Sequence, residues 1–345
     1  MRMTFVGAAV AAAIAGASIP AQAQNAAAGA QLEEVVVVSK RLEETLPQEL
    51  EKTGSRLTTI SASDIARGVF NDVGQTLQYS VPGLYVAPNS GQFSYVEASL
   101  LGSRNTDILW LVDGVRMNNR LYSTTMPLDS IPAHMVERIE VLEGGQGLFY
   151  GSPAIAGVVN IVTKEFTDRL NSEVSAGVDT NDVRNVAGYV RGPIGNSNFV
   201  LYGSIDKADG GIQPFRDQDF QPSATDRERG FDVKSAGLKL LHDFSDGVRL
   251  SFMYQHTDAD VELLAPMLVA SNVNSRDEEI ATAKLDYRIN DRADLFVKGY
   301  YHDWDTRYTT LYNSLENPGE TELIYERLLG VPRLRCECAR TPEAQ

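Results

Sequence analysis

From residue 171 onward, the chain repeats stretches of about ten residues in which apolar and polar side chains alternate. In Ala283–Asn290, for example, alanine, leucine, tyrosine and isoleucine alternate with lysine, aspartate, arginine and asparagine. Because successive side chains of a strand point to opposite faces, each stretch predicts a strand with one apolar and one polar face. The seven predicted strands lie at 172–180, 183–192, 198–206, 232–243, 248–258, 283–290 and 294–304.

The connections between these strands fall into two classes. Short turns at 192–197, 245–247 and 290–292 contain the glycine, proline, asparagine or aspartate that tight reversals need. The polar segments 207–231 and 259–277 read as long loops. Short turns on one side and long loops on the other are typical of outer-membrane β-barrels. A secreted β-sandwich is the alternative that this pattern leaves open.

The N-terminal segment predicts export. Arg2 precedes an apolar run of small residues from Phe5 to Ile19, and Pro20 is followed by Ala-Gln-Ala. This is the pattern of a signal peptide, residues 1–23, cleaved after Ala23. No later segment approaches the roughly 20 apolar residues of a membrane-spanning helix, so a membrane role would have to use strands.

Charge limits the partners that the chain could have. Lysine and arginine total 31 against 46 aspartate and glutamate residues, which gives a net charge of −15. Phosphates would repel such a chain, so we expect no nucleic-acid partner.

Residues 40–165 lack the strand-length alternation and predict a compact domain of mixed helices and strands. Asn71 or Asp72 can cap a short helix that ends before Pro82-Gly83. The apolar runs 108–112 and 158–163 predict buried strands, and Asp113-Gly114 predicts a turn after the first.

Several motifs in this part of the chain carry a family resemblance. Residues 33–38, Glu-Glu followed by four valines, resemble a TonB box. The segments 81–83, 111–116, 137–141 and 157–164 resemble plug motifs in their expected order. On these motifs the chain resembles the TonB-dependent outer-membrane receptors. The resemblance implies an α+β plug domain followed by an antiparallel transmembrane β-barrel, here truncated.

This resemblance implies a division of the chain and a set of partners. The expected parts are a signal peptide (1–23), a flexible leader with the TonB box (24–39), the plug (40–165) and the N-terminal part of the barrel (166–325). The expected function is energised uptake of a scarce ligand, which could be a ferric siderophore, cobalamin, haem or an oligosaccharide. The partners would be TonB of the inner-membrane complex, outer-membrane lipid and the extracellular ligand.

The TonB-binding residues implied by the resemblance are Glu34, Val35, Val36, Val37 and Val38. Consecutive valines favour extended backbone, and a free extended segment can add as a strand to a partner sheet. The alternative is that these valines form an ordinary strand of the plug. A passive porin, a surface adhesin or a non-functional receptor fragment are the alternatives for the whole chain.

Two positions depart from the family pattern. Glu143 stands where the family usually has arginine before a glycine, and Leu101 stands before Gly102 where arginine is usual. Contacts that those arginines would make with the barrel wall are therefore in doubt.

The residues predict neither an enzyme nor a cofactor. The four histidines lack metal-ligand spacing, and no catalytic motif is present. The acidic segment 206–226 could bind calcium through clustered carboxylates, although a solvated loop is the favoured interpretation. Its carboxylates are Asp206, Asp209, Asp217, Asp219 and Asp226.

The composition changes after residue 325. Residues 285–325 contain eight aromatic residues and residues 326–345 contain none, but they include both cysteines, Cys336 and Cys338. We therefore expect the atypical tail 326–345 to be neither strand nor turn, and to be translated out of frame. A plugged barrel has about 22 strands, so we also expect the chain to be an incomplete receptor.

Overall fold

A computed structural model describes most of the chain from residue 42 onward. The described residues are 42–117 except 53, 69, 71, 89–92 and 94–95, then 131–179, 182–209, 230–263 except 246, 269–290, 293–313, 321–330 and 333–341. The signal peptide and the leader with the TonB box lie outside them.

The first part of the fold is a small α+β domain built on a mixed sheet. Its helices are α1 Leu42–Lys52, α2 Ala62–Gly68, α3 Val73–Ser80 and α4 Gly147–Tyr150. Its strands are β1 Arg56–Ser61, β2 Leu84–Pro88, β3 Val96–Leu100, β4 Ile108–Val112, β5 Val115–Arg116, β6 Val136–Glu143 and β7 Gly157–Thr163. Five of them form a sheet in the order β1-β6-β7-β4-β5, and β2 pairs with β3. Within the described residues, no helix is long and apolar enough to cross a membrane.

Local sequence accounts for the main elements of this domain. Asp72 caps α3 by accepting a hydrogen bond from the backbone N–H of Gln75 (2.7 Å), as the sequence predicted. Every residue of β4, Ile-Leu-Trp-Leu-Val, is buried, which explains its continuous apolar run. Asp113 and Gly114 follow it with positive φ values of 48° and 75°, and they form the predicted turn.

The second part is an antiparallel sheet of longer strands. They are β8 Asn171–Val178, β9 Val183–Ile194, β10 Ser197–Ala208, β11 Phe231–Ser245, β12 Val248–Glu262, β13 Val269–Asn290, β14 Ala293–Asn313, β15 Thr321–Gly330 and β16 Arg333–Thr341. From β8 to β15, each strand pairs with the next in chain order. The predicted fold class, an α+β plug followed by antiparallel barrel strands, is confirmed.

One face of this sheet carries a band of exposed apolar side chains. Eight of its members are between 37% and 48% exposed: Leu240, Leu250, Phe252, Tyr254, Leu285, Tyr287, Ile289 and Val297. On β13 this face is apolar from Ala281 to Ile289, about the nine to eleven residues that a tilted strand needs to cross a bilayer. Beyond the band, the same face becomes acidic at Asp277 and Glu279. Such a change from apolar to charged side chains is what the border of a lipid-facing belt would show.

The prediction of a loop over 259–277 was wrong. β12 continues to Glu262 and β13 begins at Val269, and the two strands pair from Glu262↔Val273 to Val248↔Tyr287. Beyond the apolar belt both faces of the sheet can carry polar residues. In residues 259–262 and 273–277 the outward face is therefore no longer a continuous row of apolar side chains, although the backbone pairing of β12 with β13 continues.

The prediction that the tail contains no strand was also wrong. Residues 333–341 form β16, which pairs with β14 from His302↔Arg333 to Asp294↔Thr341. β15 pairs with the other half of β14, where Asp305 lies opposite Gly330. From His302↔Arg333 to Asp305↔Gly330, the position along β14 and the position of its partner both change by three residues, so β15 and β16 pair with β14 in one continuous register at their junction. Polar residues 333, 335 and 337 alternate with apolar residues 334, 336 and 338, a pattern that overall composition conceals. That residues 326–345 are out of frame stays a prediction.

Candidate functional site

The inner face of the long sheet packs against the small domain, and this interface is the candidate functional site. Met253, Ile280 and Tyr300, on three adjacent strands, belong to the same buried cluster as the apolar residues of the small domain. Burial of such side chains is worth about 1.5–3 kcal/mol each, so the two parts of the fold stabilise one another.

Asp113 is the centre of one polar anchor across this interface. Its carboxylate accepts hydrogen bonds from the backbone N–H of Thr163 (3.1 Å), the Thr163 hydroxyl (2.5 Å) and Lys239 Nζ (2.9 Å). Lys239 comes from β11 and also donates to the Thr163 carbonyl (3.2 Å). Both charged side chains are about one-tenth exposed, with relative accessibilities of 9% for Lys239 and 12% for Asp113. The anchor thus satisfies two nearly buried charges and ties the ends of β4 and β7 to β11.

Tyr202 forms a second contact at the same place. Its hydroxyl lies 3.3 Å from Thr163 Oγ1 and 3.1 Å from Gln255 Oε1. The tyrosine ring lies over Gly237 on the neighbouring strand, where an added Cβ would be 2.2 Å from the ring. A glycine at 237 therefore makes the space that lets Tyr202 reach the small domain.

A second ionic contact links β6 and β9. Arg191 donates to Glu137 Oε2 (2.9 Å) and to the Glu165 carbonyl (3.1 Å). Lys164 lies 3.8 Å from the same Glu137 oxygen and donates to the Val136 carbonyl (3.1 Å). Burial lowers the pKa of Lys164, and the neighbouring Arg191 lowers it further.

The two unusual positions in the sequence have local explanations. Glu143 is buried and lies 3.3 Å from Arg56 Nε on β1, its register partner, so the reversed charge is paired inside the small domain. The ion pairs Lys239–Asp113 and Arg191–Glu137, by contrast, cross the interface, with the cation on the long sheet and the carboxylate on the small domain. Leu101 adopts a positive φ of 53° and its N–H donates to the Gly83 carbonyl (2.8 Å).

Buried Glu140 connects α1 to the centre of the sheet. It accepts hydrogen bonds from Gln48 Nε2 on α1 (3.0 Å), Arg138 Nε (2.7 Å) and Asn160 Nδ2 (3.1 Å). Burial opposes the charge of Arg138, but the carboxylates of Glu165 and Glu140 together raise the pKa of its guanidinium. The helix that follows the leader is therefore bound to the sheet through a satisfied ionic network.

Phe93 anchors another part of the small domain to the long sheet. Its ring is 1% exposed and lies 4.9 Å from the ring of Phe231, within an apolar cluster drawn from β9 to β12. Its backbone N–H donates to Asp72 Oδ2 (3.1 Å). The remaining members of that cluster are Val183, Ala208, Val233, Ala259 and Val261.

The predicted site residues fall largely outside the described part of the chain. Glu34 and Val35–Val38 lie outside it, as do Asp217, Asp219 and Asp226. Asp206 was assigned both to the predicted strand 198–206 and to the acidic segment 206–226, and it lies on β10 with its carboxyl group buried. Among the described residues, no group of three histidine, cysteine, aspartate or glutamate side chains could hold a metal ion.

Sequence reasoning missed most of the residues that join the two parts. Asp113 was recognised only as part of a turn and motif, and Lys239, Tyr202 and Arg191 were not singled out. The sequence did contain one indication for Lys239, Tyr202 and Arg191. The two-residue alternation along their strands puts all three on the face opposite to the apolar belt.

Comparisons with known proteins agree with this architecture. Residues 49–158 match the family model of the TonB-dependent receptor plug domain. A vitamin B12 transporter, BtuB, of Vibrio vulnificus is 28% identical over 212 residues, which are 61% of this chain and 33% of that protein.

Solved structures share the fold at low sequence identity. The siderophore receptor PirA of Acinetobacter baumannii superposes with a TM-score of 0.66 and 21% identity, covering 86% of this chain and 46% of that one. The ferric-catecholate import receptor Fiu of E. coli K12 gives a TM-score of 0.62 and 14% identity, covering 84% and 46%. The chain thus spans less than half the length of these three relatives.

Proposed function

We propose that this chain, which carries the plug domain of the TonB-dependent receptors followed by strands arranged as in their barrels, acts in energised uptake across the outer membrane. The observation that carries the proposal is the anchoring of the plug to the inner face of the strands. A domain held there by Asp113–Lys239 and Glu137–Arg191 blocks the space that a passive pore would leave open. Passage of a ligand then requires the plug to move, and that movement needs an energy source.

The leader is the segment on which TonB would pull. Residues Glu34–Val38 precede α1 by only a few residues, and Gln48 and Leu50 hold α1 against the plug sheet. The four valines would bind TonB by adding a strand to its sheet, so a pull on the leader would reach the plug through α1.

The remaining parts of the proposal concern location and ligand. In this proposal the signal peptide would direct export, the mature chain would begin at Gln24, and the strands would lie in the outer membrane, which the apolar belt supports. The ligand is a scarce compound taken from outside. The relatives' names, a vitamin B12 transporter and siderophore receptors, favour cobalamin or a ferric siderophore over haem or an oligosaccharide.

The test separates TonB binding from folding. The full chain in lipid vesicles is titrated with the purified periplasmic domain of TonB, using the wild type, Val36→Pro and Val36→Thr. Proline removes a backbone N–H that an added strand needs, whereas threonine keeps the N–H and the β-branched side chain.

We expect Val36→Pro to weaken TonB binding at least tenfold, while Val36→Thr changes it less than threefold. Uptake of labelled cyanocobalamin and of a labelled ferric siderophore by cells should fall in parallel with TonB binding. Equal TonB binding by the wild type and Val36→Pro would contradict the proposed box.

A further inference from the structure

Strand β10 is the strand along which the plug docks. Its inward-facing residues alternate along the strand, and they meet successive parts of the plug. Val200 packs with Met135, and Tyr202 reaches Thr163. Farther along, Ala208 belongs to the apolar cluster around Phe93.

Asp206 occupies an inward position between these contacts, next to inward-facing Ser204, and it is poorly satisfied. Its side chain is 0% exposed, and neither carboxyl oxygen is in a hydrogen bond among the described residues. The His134 Nε2 atom of the plug lies 3.7 Å from Asp206 Oδ1 and is also without a hydrogen bond there. The Ser204 hydroxyl, two residues earlier on the same face, is near the carboxyl group and favours its charged form, although it makes no hydrogen bond of normal geometry.

The charged groups around this pair give Asp206 little compensation. Asp72, the other carboxylate close to Asp206, is already occupied by the N–H groups of Gln75 and Phe93. On the side of His134, the nearby charges are Lys164 at the end of β7 and Glu173 on β8. Burial lowers the pKa of His134, the Lys164 ammonium lowers it further, and Glu173 opposes both, so the imidazole is neutral at neutral pH.

A single proton resolves both unsatisfied groups. A buried carboxylate with a single poorly aligned hydroxyl nearby is disfavoured, particularly beside a second carboxylate. A protonated carboxyl group carries an O–H that can donate to the free Nε2 of a neutral histidine. Carboxylic acids that stay neutral at pH 7 to donate such a bond are known in apolar sites. The 3.7 Å separation needs to shorten by about 1 Å to form an ordinary hydrogen bond.

We propose that Asp206 and His134 share one proton across the contact between plug and barrel wall, and that loss of this proton as the pH rises through neutrality loosens the plug from β10. On deprotonation the Asp206 O–H bond breaks and the proton passes to a solvent base, which leaves a buried carboxylate beside Asp72. This inference depends only on the contact between plug and strands, and it holds whether or not the leader binds TonB.

The first experiment measures plug release from the full chain in detergent micelles between pH 6.5 and 9. Subtilisin cleavage of the plug is followed at each pH and normalised to cleavage of the denatured chain. The variant is Asp206→Asn, which is neutral at every pH and can donate to His134. The matched control is Asp209→Asn, which changes an exposed aspartate next to the end of the same strand, 3.2 Å from Lys207.

We expect the wild type and Asp209→Asn to show at least a twofold rise in normalised cleavage between pH 6.5 and 8.5. Asp206→Asn should show no rise over the same range. If Asp206→Asn does not fold, His134→Gln takes its place, because its amide N–H can donate to the carboxylate and should likewise suppress the rise. A flat wild-type profile, or the same rise in the substituted chain, would overturn the proposal.

The second experiment reads the proton directly. The chain has four histidines, so the signal of His134 in a histidine-labelled sample is assigned by its loss in His134→Gln. Asp206→Asn should shift the titration midpoint of His134, whereas Asp209→Asn should leave it in place. An identical midpoint in the wild type and Asp206→Asn would mean that the two groups do not share a proton.

Discussion

Replacement of Asp113 by asparagine tests how strongly the plug is held by its ionic anchor. Asparagine tolerates the positive φ of 48° at this position, so the backbone turn should survive. The change leaves the Lys239 ammonium nearly buried, with the Thr163 carbonyl as its remaining acceptor in the anchor. Breaking a buried ion pair by removing one partner costs about 3–5 kcal/mol of folding stability. Because Lys239 keeps the Thr163 carbonyl as an acceptor, we expect a loss at the lower end of this range, about 3 kcal/mol.

The assay is urea unfolding of the plug in the full chain, followed by the fluorescence of buried Trp110. Trp304 is replaced by phenylalanine in every variant so that the signal reports the plug alone. For a domain of this size, an m-value of about 1.5–2 kcal/mol/M converts the expected loss into a midpoint lower by about 1.5–2 M urea.

Lys239→Met supplies the matched control. It removes the charge while keeping much of the side-chain length, and Asp113 still accepts both hydrogen bonds from Thr163. We expect this variant to lose about 1 kcal/mol. The double variant no longer buries a lone ammonium, so the two effects should be coupled by about 2 kcal/mol. If the losses of the two single variants add up to that of the double variant within about 0.5 kcal/mol, Asp113 and Lys239 do not stabilise the plug through their contact.

Three further substitutions test other parts of the fold. Gly237→Ala should displace the Tyr202 ring and destabilise the plug by about 1–3 kcal/mol in the same urea assay. Hydrogen bonds from the end of β1 lower the pKa of Asp64, so its contribution to stability is present above its ordinary value and is lost as the pH falls through the lowered one. Asp64→Asn should therefore reduce the acid sensitivity of unfolding below pH 4 and leave its neutral-pH dependence unchanged. Leu285→Arg should weaken insertion into vesicles by about 2–4 kcal/mol, whereas Glu279→Arg, beyond the belt, should change it by less than about 1 kcal/mol.

The strand segments that carry the apolar belt could be predicted because apolar and polar side chains alternate clearly along them. In β13 only the part that starts near residue 283 faces the apolar belt, and only that part was recognised. Residues 271–277 also pair with β14, but they lie beyond the apolar belt, so the pattern of outward apolar residues is lost.

The plug was recognised by its motifs, yet its contacts were not. A motif such as Leu111–Arg116 indicates a turn after a buried strand, and that turn is present. That Asp113 meets Lys239, 126 residues away, depends on how two sheets pack, and no local pattern encodes such a separation. Asp206 lies at the end of the predicted strand 198–206 and was also grouped with the acidic segment 206–226, and neither assignment indicated that it belongs to the docking face of β10.

The central claim is that the long strands have one face in lipid and the other against the plug. It is tested most directly by a nitroxide scan of residues 281–290 in vesicles, with Cys336 and Cys338 replaced by serine. Accessibility to oxygen and to a water-soluble nickel reagent is measured at each position. Odd positions from 281 to 289 should be accessible to oxygen and shielded from nickel, whereas Lys284 and Asp286, which are 6% and 4% exposed, should be shielded from both. Odd positions that contact only the water-soluble reagent, or a profile without a two-residue period, would contradict the account.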